Sequence, residues 1–182
     1  NFEKEKDVEL FLKENIDFKH VLKVKNGKQD IQKKPPNPLT TSVLQQKASN
    51  ELGFSPKRTM QTAQKLYEGG HITYMRTDSS KYSEKFIKEC TTFIKEKYDK
   101  KYVSKNVFRL SNKSKKKDDK KSQDAHEAIR PTHIDKGTLE NMDVGQNNLY
   151  KLIRNITLES CMINAIYKNV NATITSPNSL LY

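Results

Sequence analysis

Two cysteines, Cys90 and Cys161, are all this chain has. They lie far apart and within helical patterns, so neither a CxxC metal site nor a disulfide framework is indicated, and a reducing compartment is the default expectation. No apolar run approaches the length of a membrane span. The first residues, Asn1-Phe2-Glu3-Lys4, have no signal-peptide pattern and no initiator methionine, so the chain reads as a piece of something longer. A Gly-x-x-x-x-Gly-Lys-Ser/Thr phosphate loop is missing, and with it the expectation of nucleotide-driven chemistry. No Asp-x-Asp cluster offers itself as a cation site. Arginine is also scarce: Arg58, Arg76, Arg109, Arg130 and Arg154 stand among 34 basic residues. Each therefore stands out as a chemical choice, because the planar guanidinium grips phosphate in a way an ammonium does not.

What is abundant is positive charge. Lys+Arg number 34 against 22 Asp+Glu, a net charge of +12 and a pI near 9.5. Such an excess suits a polyanion, most simply nucleic acid. Charged residues make up 31% of the 182 positions and apolar ones 34%, so the core is small.

Val8, Phe11 and Leu12 recur at helical spacing in residues 4–15. Residues 18–24 alternate, with Phe18, His20, Leu22 and Val24 on one side, and predict a strand. Asn26-Gly27 is a hairpin signal, with a second strand through Ile31. Pro35, Pro36 and Pro38 then mark a boundary. Beyond it the period becomes helical. Thr40, Thr41 or Ser42 caps a helix carrying Val43, Leu44, Ala48 and Leu52, and Gly53 stops it. Ser55-Pro56 opens another, with Met60, Ala63, Leu66 and Tyr67 as its apolar face and Gly69-Gly70 at its end. Two helices on a short loop with a strand behind resemble a winged-helix layout.

Ile72 to Met75 is that strand, and Ser83 caps a helix bearing Phe86, Ile87, Cys90, Phe93, Ile94 and Tyr98. Residues 99–124 lack apolar periodicity and are expected to be a solvated loop, mobile around its Lys-rich part at 111–122. Asn147 or Asn148 opens the last helix, with Leu149, Leu152, Ile153, Ile156 and Ile163 inward. A final strand runs from Ile166 to Thr175. The fold class is α+β, mainly α: a helical domain with winged-helix-like character (35–165) inserted between strands of a partial β domain (1–34 and 166–182).

Two polar stretches look chemical. In Gly69–Ser79, Tyr74 and Arg76 share one face of the expected strand. In Asp124–Thr132, His126, Glu127 and Arg130 fall within one turn before Pro131 halts it. Taken singly, Tyr74 reads as a half-buried aromatic, Arg76 as a surface cation and His126 as structural. Together they fit attack on a phosphodiester. A phenol ionises near pH 10 and needs positive charge beside it to act as a nucleophile. The nonbridging oxygens need cations where charge builds.

The runs PLTTSVLQQ (38–46), LGF (52–54), KRTM (57–60), AQKLYEGG (63–70), ITYMRTDS (72–79) and AHEAIRP (125–131) resemble, in order and spacing, the signature of type IA DNA topoisomerases. Met75 and the TTSVLQQ run are more similar to bacterial topoisomerase I than to topoisomerase III or reverse gyrase. The resemblance implies that Tyr74 is the nucleophile, cutting single-stranded DNA to a 5′-phosphotyrosine, with Arg76 beside the scissile phosphate and His126 near it. Glu127 and Arg130 share the second motif, and Arg76, Arg130, Glu127, Thr77 and Ser79 are the candidate DNA contacts. It further implies relaxation of negatively supercoiled DNA without ATP, a monomer at work on DNA inside a cell, and Mg²⁺ held by a Toprim domain. That domain has no counterpart in this sequence, no metal ligand is assigned, and the chain by itself is expected to be idle. Leu39 departs from the family's usual phenylalanine. A basic DNA-binding module without chemistry is the rival reading. A tyrosine recombinase also uses Tyr, Arg and His, but places its tyrosine last.

Overall fold

The computed structural model describes residues 4–17, 19, 21–26, 30–111 and 126–174, in two compact units, Lys34–Asn164 and the two chain ends around it. The ends hold helix α1 (Glu5–Ile16) and four short strands, β1 (Leu22–Asn26), β2 (Ile31–Lys33), β3 (Ala165–Tyr167) and β4 (Val170–Ile174). Gly27 lies outside the described residues, but β1 and β2 do not pair with each other as the Asn26-Gly27 signal predicts. β1 pairs antiparallel with β4, from Leu22 opposite Ile174 to Asn26 opposite Val170. β2 pairs antiparallel with β3, Ile31 opposite Tyr167. The expected single last strand is thus two, separated at Lys168-Asn169. Leu10, Leu12, Leu22, Val24, Ile166 and Val170 all remain exposed here.

The larger unit is built on four helices, α2 (Thr41–Leu52), α3 (Pro56–Glu68), α4 (Glu84–Lys97) and α5 (Val144–Ser160). Their ends follow local chemistry. Thr40 caps α2 by accepting from the Val43 N–H, and Gly53 ends it at φ 65°, a left-handed conformation that a Cβ would strain. Ser55 caps α3 with Pro56 in the first turn, and Ser83 caps α4. The start of α5 is one turn earlier than expected. Asp143 accepts from the Gln146 N–H while the Gln146 side chain reaches back to Asp143, a reciprocal capping box. Asn147, expected as the cap, lies inside the helix and ties its side-chain amide to the Leu139 backbone.

α5 is the shared spine. Its Leu149, Leu152, Ile153 and Ile156 pack with Leu44 and Ala48 of α2 and Ala63 and Leu66 of α3. Farther along, Leu158 and Cys161 join Phe86, Ile87, Cys90 and Ile94 in a second core. Each fully buried Leu or Ile contributes roughly 1.5–3 kcal/mol. Ile163, expected inward, falls beyond the helix and is exposed. Residues 99–111 are more ordered than their sequence suggests, since two 3₁₀ turns, Lys100–Tyr102 and Val107–Leu110, bury Val107 and Leu110 in the second core. The Lys-rich run itself, from Asn112 onward, lies outside the described residues. Cys90 and Cys161 are free, buried thiols in the second core. The neighbouring Cys161 thiol, with burial second, pushes the Cys90 thiol up.

Candidate active site

α3 ends where Gly70 turns left-handed at φ 71° and the His71 N–H bonds back to the Leu66 carbonyl. The expected strand Ile72–Met75 does not form. Only one bridge is made there, Ile72 opposite Pro131. What holds the segment instead is a pair of buried anchors and two threonine clasps. Ile72 and Met75 are each 1% exposed and sit in the first core. Thr73 donates through Oγ1 to the Ala128 carbonyl (2.9 Å) and accepts there from the Arg130 N–H (3.0 Å). Thr41, in the first turn of α2, donates through Oγ1 to the Met75 carbonyl (2.7 Å) and accepts from the Thr77 N–H (2.9 Å). Its own N–H donates to the Thr77 carbonyl at 2.9 Å.

Between the clasps lies Tyr74, 42% exposed, followed by buried Met75 and exposed Arg76. The alternation survives without the strand, because Met75 is the inward anchor. Tyr67 meets the Tyr74 ring edge to face, with centroids 5.2 Å apart and planes at 64°. Such a pair fixes ring orientation and contributes about 0.5–1.5 kcal/mol beyond its buried area. Tyr67, which the helical pattern assigned to the apolar face of α3, is in fact exposed.

The described part of the second polar stretch, 126–132, is not helical, and it is brought alongside the first by the Thr73 clasp and the bridge at Ile72. Leu39, in the position where the family usually has phenylalanine, is fully buried and bridges Ile129. His126 is exposed at the start of this stretch. Glu127 and Arg130 point at each other. Glu127 Oε2 accepts from Arg130 Nε at 2.7 Å, and Oε1 accepts from the Ser83 N–H at 2.8 Å. The Arg130 guanidinium lies 4.1 Å over the Phe86 ring. With side chains only 15% and 20% exposed, this pair fastens the N-terminus of α4 to the site. Thr77 accepts through Oγ1 from the Ser79 N–H (3.0 Å), and Ser79 from the Lys81 N–H (3.3 Å), so both shape the turn after Arg76.

Arg76 opens onto a groove of about 780 Å³ along the polar side of α3, which Lys57, Arg58 and Lys65 also line. Sequence reading missed Thr41 as more than a cap, Thr73, Tyr67 as a ring partner, and this groove. Only the groove had a signal, the spacing of Lys57, Gln61 and Lys65 on one helical face. Among the described residues no three His, Cys, Asp or Glu side chains gather as metal ligands, so nothing here is assigned to Mg²⁺. Nor is any helix of the described residues long and apolar enough to cross a membrane.

The comparisons agree with one another. A family model described as DNA topoisomerase matches residues 1–180. DNA topoisomerase 1 of Buchnera aphidicola subsp. Acyrthosiphon pisum is 46% identical over 157 residues, 83% of this chain and 17% of that protein. The Escherichia coli K12 enzyme of the same name is 38% identical over 143 residues, 78% of this chain and 16% of its own. A prokaryotic-type DNA topoisomerase 1 of Acanthamoeba polyphaga mimivirus is 48% identical over 130 residues, 70% of this chain and 14% of its own. Full-length topoisomerase I of Thermotoga maritima superposes with a TM-score of 0.62 at 30% identity, covering 99% of this chain and 29% of that one. The chain therefore spans about a sixth of the length of these curated relatives. With its motifs, its fold and its matched length in accord, the chain belongs to the type IA DNA topoisomerase family, on the bacterial topoisomerase I side.

Proposed function

We propose that this chain carries the DNA-cleaving tyrosine of a type IA topoisomerase that relaxes negatively supercoiled DNA without ATP. The Tyr74 phenolic oxygen attacks a phosphorus of single-stranded DNA. The new O–P bond leaves a 5′-phosphotyrosine, the P–O3′ bond breaks, the phenol loses its proton and the 3′ oxygen gains one. Attack by that 3′-hydroxyl reverses the step, so the phosphodiester is conserved through strand passage and no nucleotide is consumed. Arg76 stabilises the charge that builds on the nonbridging oxygens, and His126 serves the same phosphate. Thr77 and Ser79 hold the strand-facing turn. Glu127 and Arg130, in this reading, act from behind by fixing α4. Residues 35–165 are the helical, winged-helix-like tyrosine domain, and the two chain ends, 1–34 and 166–182, belong to the β-rich arch. A Toprim domain supplies Mg²⁺ to a monomeric enzyme that works wherever the cell or virus keeps its DNA.

The observation that carries this reading is the pair of threonine clasps. They hold Tyr74 half-exposed, with Arg76 two residues on, and tie both to the stretch bearing His126. The test is covalent capture of a labelled single-stranded oligonucleotide by the full-length protein. Wild type gives a denaturant-stable adduct blocked at the DNA 5′ end, and Tyr74→Phe gives none while still binding DNA. An undiminished adduct in Tyr74→Phe removes the assignment. Binding without any adduct in either protein leaves the basic-module reading.

A further inference from the structure

We infer that the groove along the polar side of α3 is a track for the backbone of single-stranded DNA leading away from Tyr74, a reading that rests on the proposed function. Four cations line it, Lys57, Arg58, Lys65 and Arg76. Lys57 and Lys65 stand two helical turns apart with Gln61 between them, so their ammonium groups rise from one face along the helix axis. Arg58 is held in place by stacking 3.9 Å over the Phe54 ring. Stacking occupies the face of the guanidinium and leaves its N–H edge free to meet a phosphate. The one carboxylate in the lining, Asp143, already caps α5 by accepting from the Gln146 N–H at 2.7 Å. The groove thus offers four cations against one carboxylate, with the Gln61 amide between Lys57 and Lys65.

Its position supplies the rest. Arg76 belongs both to the groove and to the Tyr74 segment, two residues from Tyr74, so a strand whose phosphate sits at Tyr74 meets the groove's first cation next. The groove and Tyr74 also lie within the same compact unit, 34–164. A strand end bonded to Tyr74 therefore stays beside these cations after cleavage, which keeps it from swinging away before resealing.

The test measures binding of the chain to a fluorescent oligo(dT) twelve-mer across a salt series. For single strands the logarithm of affinity falls with the logarithm of salt by about 0.7 per phosphate neutralised. Lys57→Ala with Lys65→Ala should therefore flatten the slope by about 1.4 and weaken binding about 25-fold at 0.1 M salt. Lys88→Ala with Lys95→Ala on exposed positions of α4 removes the same charge elsewhere and should leave the slope unchanged. Equal losses in the two double variants, an unchanged slope in the groove variant, or no binding by the unaltered chain at low salt each overturn the track. None of these outcomes touches the Tyr74 adduct assay, whose failure would sink the cleavage reading by itself.

Discussion

Thr41→Val tests whether the clasp on Met75–Thr77 is what holds the candidate nucleophile in place. The substitution keeps the shape of the side chain and deletes its hydroxyl. The hydroxyl proton is shared between the Met75 carbonyl at 2.7 Å and the Thr77 carbonyl at 3.1 Å, so two hydrogen bonds disappear, that shared donation and the 2.9 Å acceptance from the Thr77 N–H. A net hydrogen bond is worth about 0.5–1.5 kcal/mol, and a buried group left unpaired costs about 1–3 kcal/mol. Both bonds are only partly buried, so water can reach the orphaned groups and the lower end applies. The expected loss is about 2 kcal/mol in urea unfolding. The Thr41 N–H bond to the Thr77 carbonyl is untouched, so the segment loosens without leaving. Adduct formation should fall more than binding does, because Tyr74 and Arg76 flank the loosened residue while the other groove cations, Lys57, Arg58 and Lys65 on α3, are unaltered. Thr41→Ser keeps the hydroxyl and should retain most of both properties. If Thr41→Val unfolds like wild type and forms adduct at the wild-type rate, the clasp is not what positions Tyr74. Equal damage from Ser and Val would place the effect in packing of the methyl group instead.

Arg130→Met separates a supporting role from a DNA contact. Breaking a mostly buried ion pair strands Glu127 beside Ser83 and should destabilise the fold by about 3 kcal/mol, whereas a wild-type unfolding curve with weakened DNA binding would make Arg130 a strand contact. Tyr82 sets an alkaline limit. It is buried with its phenol hydrogen-bonded to Ser160 at 3.2 Å, and burial pushes its ionisation well above the ordinary tyrosine range. The unfolded chain loses this proton near pH 10 while the folded chain keeps it, so the contribution is intact below pH 10. Above it, stability falls by about 1.4 kcal/mol per pH unit for this one group. Tyr82→Phe should flatten that alkaline limb in pH-dependent unfolding, while losing about 1 kcal/mol at pH 7 with the hydrogen bond. An equally steep limb in the variant would assign the alkaline loss to other groups.

Helix ends were legible in the sequence wherever one residue does the capping. Thr40, Ser55-Pro56, Ser83 and Gly53 each act within four residues of themselves, and the structure places them at the ends expected. The start of α5 was not, because its cap is a reciprocal pair, Asp143 with Gln146, while a nearby asparagine offers the commoner single-residue signal. Strand pairing failed for a different reason. Asn26-Gly27 is a local invitation to a hairpin, but β1 finds its partner at Val170–Ile174, some 150 residues away, and no local pattern records that distance.

The candidate site divides along the same line. Tyr74 with Arg76, and His126 with Glu127 and Arg130, could be singled out because each pair or trio gathers chemically distinctive residue types within a few positions of one another. What joins them could not. Thr41 and Thr73 are ordinary residues by composition, and a side-chain hydroxyl bonding to a remote carbonyl has no period to detect. Yet these two hydroxyls explain why Ile72–Met75 is not a strand. Thr73 Oγ1 takes up the Arg130 N–H and Thr41 Oγ1 the Thr77 N–H, so side chains supply partners that a ladder would have supplied. The clasps tie it on one side to α2 and on the other to the second motif, and they leave the Tyr74 side chain outside both. That arrangement suits a residue that must be held in place and still be reached by a strand of DNA.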